Sequence, residues 1–571
     1  MPPSTAAPYE LEIVRVLRNT FGLESFRTNQ REAITGTLQG KDVFVLMPTG
    51  GGKSLCYQLP AVCETGKTRG VTFVVSPLLA LMHDQVGALE KKGVDVLLWN
   101  SERTQDDVKI IMQRLSMRGG GLPKVVYITP EKIKESALLR SKLKELYDGK
   151  QIARFVIDEA HCISSWGRDF RDAYQELHVL REEYPDVPIM ALTATANRTV
   201  ADDIRLRLRM RPTCISLTQS FNRPNLFYTI LPKQTGKKGK GLEAMASFIK
   251  ERHPRHSGVI YCFSRNDCEK VAMTLRNEHG LGAKHFHAGM DAAEKAATQA
   301  EWQSGRVAII VATIAFGMGI DKADVRFVIH HSAPKSMDGY YQETGRAGRD
   351  GKPADCVLYY DYGDCKKLIQ LIRSDRSRDR PSPANMKRQE DGVREVIEFC
   401  HNNTECRRSY VLRYFGETFS PADCKRSCDT CVNAQQNQLT TTDATKQAKT
   451  IIQLVETLSD GLETNVSEKQ AMNCYTGANL KELRDKGLDR HPLFGAGKGQ
   501  PKELVSRLFA DLIVGNALEL VSKENSAGWH TTYVTTGSKV QSFRSAKKIM
   551  VSYRPSGMAF TTTGRANSGS Q

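Results

Sequence analysis

The most informative stretch of the sequence is DVFVLMPTGGGKS, residues 42–54. It combines a short apolar run, a turn with three glycines, and a Lys-Ser pair where a helix is expected to begin. Glycines let main-chain N–H groups curl around phosphate oxygens, and a helix N-terminus adds partial positive charge. In such a loop the lysine reaches the β- and γ-phosphates of a nucleotide, and the serine hydroxyl binds Mg²⁺. The stretch therefore predicts a phosphate-binding loop made of Thr49, Gly50, Gly51, Gly52, Lys53 and Ser54.

A second stretch, FVIDEAH, occupies residues 155–161. Its apolar strand ends in two carboxylates, and open α/β sheets bind ligands at the carboxyl ends of their strands. Asp158 suits an Mg²⁺ ion, held through water, and Glu159 suits the general base that polarises an attacking water. Together with the phosphate loop, this stretch predicts nucleotide hydrolysis.

Outward from these stretches, β-rich runs alternate with helical ones, which is typical of parallel α/β sheets. Two series of strands are predicted, and the irregular segment 214–228 between them is interpreted as a linker. Two successive α/β blocks predict two similar lobes. The predicted strands are residues 42–47, 71–76, 125–129 and 155–158 in the first series and 258–263, 307–313 and 325–330 in the second.

Composition limits the classes of partner. The 571 residues include 81 Lys plus Arg and 64 Asp plus Glu, which gives a formal net charge of +17 and makes a polyanionic partner plausible. The most apolar stretch, residues 71–82, is shorter than the roughly 20 residues of a membrane-spanning helix. No secretory signal is recognised at the N-terminus, so the 14 cysteines are expected to be reduced.

Four of these cysteines have metal-ligand spacing. Cys406, Cys424, Cys428 and Cys431 form the pattern C-x17-C-x3-C-x2-C. Four thiolates fill the tetrahedral coordination of Zn²⁺, which leaves no open position for catalysis. The pattern therefore predicts a structural zinc site that ties helices together.

The C-terminal region changes character. A helix is expected over residues 501–517, followed by a hairpin with strands at 518–522 and 530–536. Beyond Glu524 there is no acidic residue, and the basic side chains there suit phosphate groups, although a solvated tail is an equal alternative.

Taken in order, five stretches resemble the RecQ family of superfamily 2 helicases, and most closely its eukaryotic Bloom-syndrome-type branch. They are MPTGGGKS, DEAH, the TATA segment from Thr193, ATIAFGMGIDK (residues 312–322) and QETGRAGRDG (residues 342–351). The resemblance implies an α/β fold of two RecA-like lobes with ATP between them, followed by a helical zinc-binding module and a winged helix. The implied boundaries are 1–215, 216–360, 361–438 and 439–545, with a basic, flexible tail at 546–571.

The resemblance also implies roles for single residues. Gln342, Arg346 and Arg349 fall on a segment that faces the γ-phosphate from the second lobe, where guanidinium groups stabilise transition-state charge. Arg27 and Gln30 fall on the adenine-recognition element, and Gly319 and Asp321 on a further nucleotide-contacting segment.

For DNA, the resemblance implies an aromatic-rich loop directly after DEAH that combines stacking surface with positive charge. Its members are Trp166, Arg168, Phe170 and Arg171. Strand-end turns of both lobes are expected to contact the strand through Ser76, Pro77, Thr129, Ser264, Arg265 and Thr313. The tip of the winged-helix hairpin is expected to contribute Lys523, Asn525 and Trp529.

The implied activity is ATP-dependent 3′–5′ unwinding of duplex or structured DNA, such as forks, junctions and G-quadruplexes, in recombination, repair and replication. The chain is expected to act as a monomer in the nucleus. ATP, Mg²⁺ and structural Zn²⁺ are the implied cofactors. Two rivals remain open: an RNA helicase of the DEAH type, and a non-catalytic DNA-binding scaffold.

Overall fold

A computed structural model of the protein describes residues 8–77, 79–117, 121–164, 172–233, 240–314, 316, 322–374, 382–402, 404–436, 440–460, 466–524 and 530–553. Within these ranges, no helix is both long and apolar enough to cross a membrane.

The first lobe is a seven-stranded parallel sheet with helices on both faces. The strand order is β3-β4-β2-β5-β6-β1-β7. Its strands are β1 (Val43–Leu46), β2 (Val71–Val75), β3 (Val96–Trp99), β4 (Val125–Ile128), β5 (Ile152–Ile157), β6 (Ile189–Thr193) and β7 (Ile215–Thr218). Its helices are α1 (Pro8–Asn19), α2 (Gln30–Leu38), α3 (Leu55–Val62), α4 (Leu79–Glu90), α5 (Gln105–Leu115), α6 (Pro130–Glu135), α7 (Ala137–Asp148), α8 (Asp172–Gln175), α9 (Val179–Glu183) and α10 (Arg198–Arg207).

The apolar runs form central strands because they are buried on both faces. In β1, Phe44 and Leu46 point into one hydrophobic cluster, while Val43 and Val45 point into another on the opposite face. This alternation follows the two-residue period of a strand. A run without polar alternation therefore fits a parallel sheet that helices cover on both sides.

The second lobe repeats the architecture with six parallel strands in the order β10-β11-β9-β12-β13-β8. Its strands are β8 (Leu226–Pro232), β9 (Ser257–Tyr261), β10 (Ala283–Phe286), β11 (Ile309–Ala312), β12 (Val325–His330) and β13 (Ala354–Tyr360). Its helices are α11 (Lys240–Arg252), α12 (Arg265–Asn277), α13 (Ala292–Gln303) and α14 (Met337–Thr344). The fold class predicted for the two lobes is confirmed.

A helical module follows, and then a small α/β unit. The module contains α15 (Tyr362–Ser374), α16 (Pro383–His401), α17 (Arg407–Tyr414) and α18 (Asp429–Gln436). The last unit contains α19 (Thr445–Asp460), α20 (Glu468–Thr476), α21 (Lys481–Asp485), α22 (Lys502–Val514) and α23 (Val540–Ser545). Its strands form two antiparallel pairs, β14 (Thr440–Asp443) with β17 (Met550–Tyr553) and β15 (Leu518–Glu524) with β16 (His530–Thr536).

Polar contacts fix this last unit against the helical module. Lys366 of α15 lies 3.5 Å from Glu468 of α20, and Arg394 of α16 donates to the Asn516 side chain at 2.6 Å. Arg507 of α22 donates to the main-chain carbonyl of His401 at the end of α16. The last unit therefore has a defined orientation relative to the helical module.

Three interpretations from the sequence need correction. The segment 214–228 is not irregular throughout, because β7 pairs with β1 and β8 begins at Leu226. The polar composition of residues 433–442 is typical of a linker, but α18 extends to Gln436 and β14 begins at Thr440. The tail expected from residue 546 instead begins with β17, whose Val551 and Tyr553 are buried in the last unit.

Candidate nucleotide and nucleic-acid site

The phosphate loop lies at the carboxyl end of β1. Gly50 and Gly52 both have a φ of +84°, in the left-handed region that favours glycine. A Cβ on Gly52 would lie 2.3 Å from Nε2 of Gln30, so side chains are also excluded by space. The Lys53 ammonium donates to the main-chain oxygen of Met47 at 3.1 Å. The curl that the glycines were expected to form is therefore present.

The predicted adenine-recognition element packs directly on this loop. The Gln30 amide accepts from the Arg27 main-chain N–H at 2.7 Å and donates to the Gly52 carbonyl at 2.9 Å. The Arg27 guanidinium donates to the Gly50 carbonyl. The structure thus brings together two segments that are separated by some twenty residues of α2 and β1.

The two carboxylates of DEAH sit opposite the loop. Burial, and then the neighbouring charge of Glu159, raise the pKa of Asp158 above its usual range. Burial also acts on Glu159, but the hydrogen bond and charge of His161 and the charge of Lys53 outweigh it and lower its pKa. Glu159 has a φ of +48°, a conformation that costs energy for a non-glycine residue and is concentrated at functional sites. Glu159 is therefore held as an acceptor, suited to a general base.

His161 connects this acid to the next strand. Its Nδ1 lies 3.3 Å from a Glu159 carboxylate oxygen and 2.9 Å from the Thr193 hydroxyl. The Thr193 hydroxyl in turn accepts from the Thr195 main-chain N–H at 3.2 Å. Since Gln342 of the second lobe donates to the Thr195 hydroxyl, this chain of contacts runs from Glu159 to the lobe interface.

The second lobe closes the site. Gln342 donates from Nε2 to the Thr195 hydroxyl at 3.0 Å. The stem of Arg349 packs on the phosphate loop, since a Cβ on Gly50 would lie 3.3 Å from Arg349 Cγ. Arg346 is 6% exposed, and its charge acts on Glu159. All three residues expected to face the nucleotide from the second lobe lie at its interface with the first.

Sequence reasoning missed one member of this interface, Arg223. Its guanidinium donates to the Thr49 carbonyl of the phosphate loop at 3.0 Å. It also donates to the carbonyls of Gly345, Ala347 and Gly348 in the GRAG segment, at 2.9–3.1 Å. Arg223 lies in the stretch interpreted as a linker, where no spacing pattern marks it. A single arginine beside a proline does not predict a contact between two lobes.

The four cysteines converge as predicted. Their sulfurs all lie within 4.8 Å of one another, with Cys428 3.8 Å from Cys406 and 3.7 Å from Cys424. A tetrahedral ion with 2.3 Å bonds would hold its thiolates about 3.8 Å apart. The donor set and its spacing fit Zn²⁺.

The cysteine module also holds the segment that carries Arg223. Arg408 donates to the Asn222 side chain and to the main-chain oxygens of Arg223 and Leu226, at 2.7–2.8 Å. Glu417 accepts from the main-chain N–H of Phe221 at 2.6 Å, and the Phe221 ring stacks on Phe415 at 4.4 Å. The cysteine module therefore reaches the nucleotide site through the interlobe segment.

Residues expected to contact a nucleic-acid strand lie at the carboxyl ends of strands in both sheets. Ser76 is fully buried after β2, Thr129 precedes α6, and Thr313 follows β11. The Ser264 hydroxyl caps α12 by accepting from the Asp267 N–H at 3.1 Å. The full set on these edges is Ser76, Pro77, Thr129, Ser264, Arg265 and Thr313.

Several expected site residues lie outside the residues that the structure describes. They are Gly319, Asp321, Trp166, Arg168, Phe170, Arg171, Asn525 and Trp529, together with the side chain of Lys523.

Four family models match the chain in succession. They are described as DEAD/DEAH box helicase (residues 27–203), helicase conserved C-terminal domain (240–351), RecQ zinc-binding (362–432) and RQC domain (438–557).

Similar proteins cover nearly the whole chain. The ATP-dependent DNA helicase hus2/rqh1 of Schizosaccharomyces pombe is 46% identical over 94% of this chain and 39% of its own length. The RecQ-like DNA helicase BLM of Xenopus laevis is 39% identical, again over 94% of this chain and 39% of its own length. The ATP-dependent DNA helicase Q1 of Rattus norvegicus is 36% identical over 84% of this chain and 74% of its own length. The chain thus spans about two fifths of the first two relatives.

Proposed function

The chain belongs to the RecQ family of ATP-dependent DNA helicases, in its Bloom-type branch, and on that basis we propose that it unwinds DNA with 3′–5′ polarity at the expense of ATP. The observation that carries the proposal is the closed interface between the lobes. There, Gln342 and Arg349 of the second lobe meet Thr195 and the phosphate loop of the first.

In this proposal the first lobe binds the nucleotide. Lys53 and the loop N–H groups hold the phosphates, while Arg27 and Gln30 recognise the base. Glu159, which its lowered pKa keeps ionised, accepts a hydrogen bond from the attacking water and polarises it as the general base. His161 keeps the Glu159 carboxylate oriented.

The second lobe supplies positive charge to the transition state. Arg346 and Arg349 face the γ-phosphate position, and such arginines are worth about 10³–10⁵ in rate in related enzymes. Because these arginines come from the opposite lobe, hydrolysis depends on lobe closure. Loss of the γ-phosphate then allows the lobes to open again. The Gln342–Thr195 contact couples closure to Glu159 through Thr193 and His161.

Mg²⁺ and Zn²⁺ have separate places in the proposal. Asp158 and Ser54 would hold Mg²⁺, and the fit is supported by the raised pKa of Asp158, which a nearby cation would relieve. When bound, the ion neutralises phosphate charge. Zn²⁺ at the four cysteines would hold the module that contacts the interlobe segment, a structural role.

For the nucleic acid, the strand-end residues from Ser76 to Thr313 and the loop around Trp166 contact the translocating strand. The hairpin tip with Lys523, Asn525 and Trp529 contacts the duplex. Gly319 and Asp321 complete the nucleotide contacts.

Forks, junctions and G-quadruplexes are the substrates we propose, and recombination, repair and replication in the nucleus are the processes. We take the chain to act as a monomer.

The test is strand separation on a labelled fork with a 3′ tail. Unwinding is expected with ATP, with no unwinding of a matched 5′-tailed duplex and none by the Lys53→Ala chain. Equal activity on a matched RNA duplex would favour a DEAH-type RNA helicase instead. DNA binding without stimulated hydrolysis would favour a non-catalytic scaffold.

A further inference from the structure

The edge of the first lobe opposite the nucleotide site carries an unusual arrangement of cations. Lys41, Arg69 and Lys150 each stand two residues before a strand, namely β1, β2 and β5. Because these strands are parallel, the three residues lie at the same amino-terminal edge of one sheet. All three are exposed. The phosphate loop and the strand-contacting residues lie at the other edge.

Two adjoining cavities run along this edge. One, of about 540 Å³, is lined by Tyr9, Gln39, Lys41, Thr65, Gly66, Lys67 and Arg69. The other, of about 650 Å³, shares Lys67 and Arg69 and continues past Thr68, Tyr147 and Lys150. We call the two together the back groove. Each cavity is in the range of roughly 300–1,000 Å³ that holds small ligands.

The back groove has an excess of uncompensated positive charge. Within the described part of the chain, Lys41, Lys67, Arg69 and Lys150 form no ion pair. The first cavity has no acidic lining residue. Of the two acids in the second cavity, Asp148 pairs with Lys144 at 2.5 Å, whereas Asp186 accepts only from the neutral Tyr147 hydroxyl at 3.1 Å and keeps its charge. The four cations therefore face one uncompensated carboxylate.

A buried guanidinium lies directly beneath. Arg154 in β5 is 0% exposed and donates to the hydroxyls of Thr68 at 2.6 Å and Thr72 at 3.4 Å. Among the described residues no carboxylate pairs with it, and its Nε has no hydrogen-bond partner. A buried charge without a counter-charge is destabilising, so its presence calls for compensation from elsewhere. Thr68, its nearest partner, lines the back groove.

We propose that the back groove binds a segment of single-stranded nucleic acid, a second strand-binding site remote from the motor edge. Phosphates would lie against Lys41, Lys67 and Arg69 and offset the charge of Arg154. Tyr9 and Tyr147, one in each cavity, are half-buried against the core, and we expect the exposed part of each ring to stack on a base. The choice of nucleic acid over an acidic peptide rests on these rings and on the proposed helicase function.

The first test compares the full chain with a variant that carries Lys41→Ser, Lys67→Ser and Arg69→Ser. The matched control carries Lys250→Ser, Arg255→Ser and Lys270→Ser, three exposed cations of the second lobe. Binding of oligothymidylates of about 12 and about 40 nucleotides, lengths that bracket one and several strand sites, is followed by anisotropy over a range of salt. We expect the back-groove variant to lose about tenfold in affinity for the longer strand only, with a salt slope smaller by about 2.

The control is expected to bind both lengths as wild type does. Hydrolysis stimulated by the short strand should be unchanged in the back-groove variant. If even the wild-type chain shows no stimulated hydrolysis, the helicase proposal is refuted, but the back-groove proposal is not. Equal losses in variant and control, or displacement of the long strand by polyglutamate at matched charge, would overturn the nucleic-acid assignment.

A second test uses Arg154→Met and photo-crosslinking. If Arg154 is retained for binding, the Met variant should gain thermal stability while losing long-strand affinity. A Met variant that is less stable and binds normally would show a packing role and refute the proposal. Long strands that carry 5-iododeoxyuridine should crosslink to peptides containing Tyr9 or Tyr147, and crosslinks confined to the motor edge would also refute it.

Discussion

The guanidinium of Arg408, in the cysteine module, donates a 2.7 Å hydrogen bond to the main-chain oxygen of Arg223, whose own guanidinium spans the two lobes. The two arginines connect the zinc-binding cysteines to the phosphate loop through a single residue of the interlobe segment. Loss of the cysteine cluster or of the Arg223 side chain should therefore disturb the nucleotide site.

Replacing Arg223 should slow hydrolysis more than it weakens ATP binding. Arg223→Gln leaves the carbonyls of Thr49, Gly345 and Ala347 without the Arg223 donor, so the GRAG segment loses part of what fixes its position. We expect kcat with saturating DNA to fall about 10–100-fold, with KM for ATP changed much less. Arg223→Lys should restore little, because one ammonium cannot serve four carbonyls. The exposed Arg198→Gln is the control, and an unchanged kcat for Arg223→Gln would contradict the role.

Removing Arg349 should abolish hydrolysis while sparing nucleotide binding. Its side chain lies on the phosphate loop from the opposite lobe, where charge develops during phosphoryl transfer. Arg349→Ala is expected to lower kcat by about 10³. Fluorescent-nucleotide binding measured beside steady-state hydrolysis checks this, with the exposed Arg306→Ala as control. A full rate would exclude Arg349 from the site.

Breaking the cysteine cluster should release zinc and reduce stability. In Cys428→Ser one of four thiolates is lost, so metal analysis should find less than the one zinc per chain expected of wild type. Cys400→Ser is the matched control, because Cys400 is buried in the same module but outside the cluster. Cys428→Ser should melt earlier and hydrolyse ATP more slowly, through the freed interlobe segment. Equal zinc contents in the two variants would disprove the site.

His401 should make the chain acid-sensitive. Burial, followed by the charge of Arg507, lowers its pKa to about 4, and Nε2 lies 2.9 Å from the Tyr360 hydroxyl. The unfolded chain takes up the proton near pH 6.5, while the folded chain resists until about pH 4, so stability falls with pH across that window. Between pH 7 and pH 5, the free energy of unfolding should fall by on the order of 1 kcal/mol less in His401→Gln than in the wild-type chain. Denaturant unfolding at several pH values measures it, and parallel curves for both chains would contradict the assignment.

The sequence was sufficient to predict the parts of the site that local sequence patterns define. The phosphate loop, the DEAH strand and the four cysteines depend on spacing along the chain, and each lies where its pattern predicts. The family was identified from those patterns and is confirmed by the relatives and family models.

The missing parts depend on tertiary contacts. Nothing around Arg223 indicates that its side chain would meet four carbonyls from two lobes, because these partners lie more than a hundred residues away in both directions. β7 was missed because a strand of four residues with half-exposed side chains has no clear periodicity and forms only by pairing with β1. The roles assigned to single site residues stay predictions.

The pairing of β14 with β17 gives the C-terminal unit a particular topology. Thr440 lies opposite Tyr553, so the chain enters and leaves this unit at neighbouring points. A domain whose ends meet can be exchanged or lost in evolution without redirecting the rest of the chain. The C-terminal unit therefore has adjoining ends, and if its hairpin contacts duplex DNA as proposed, the DNA preference can change without altering the two lobes.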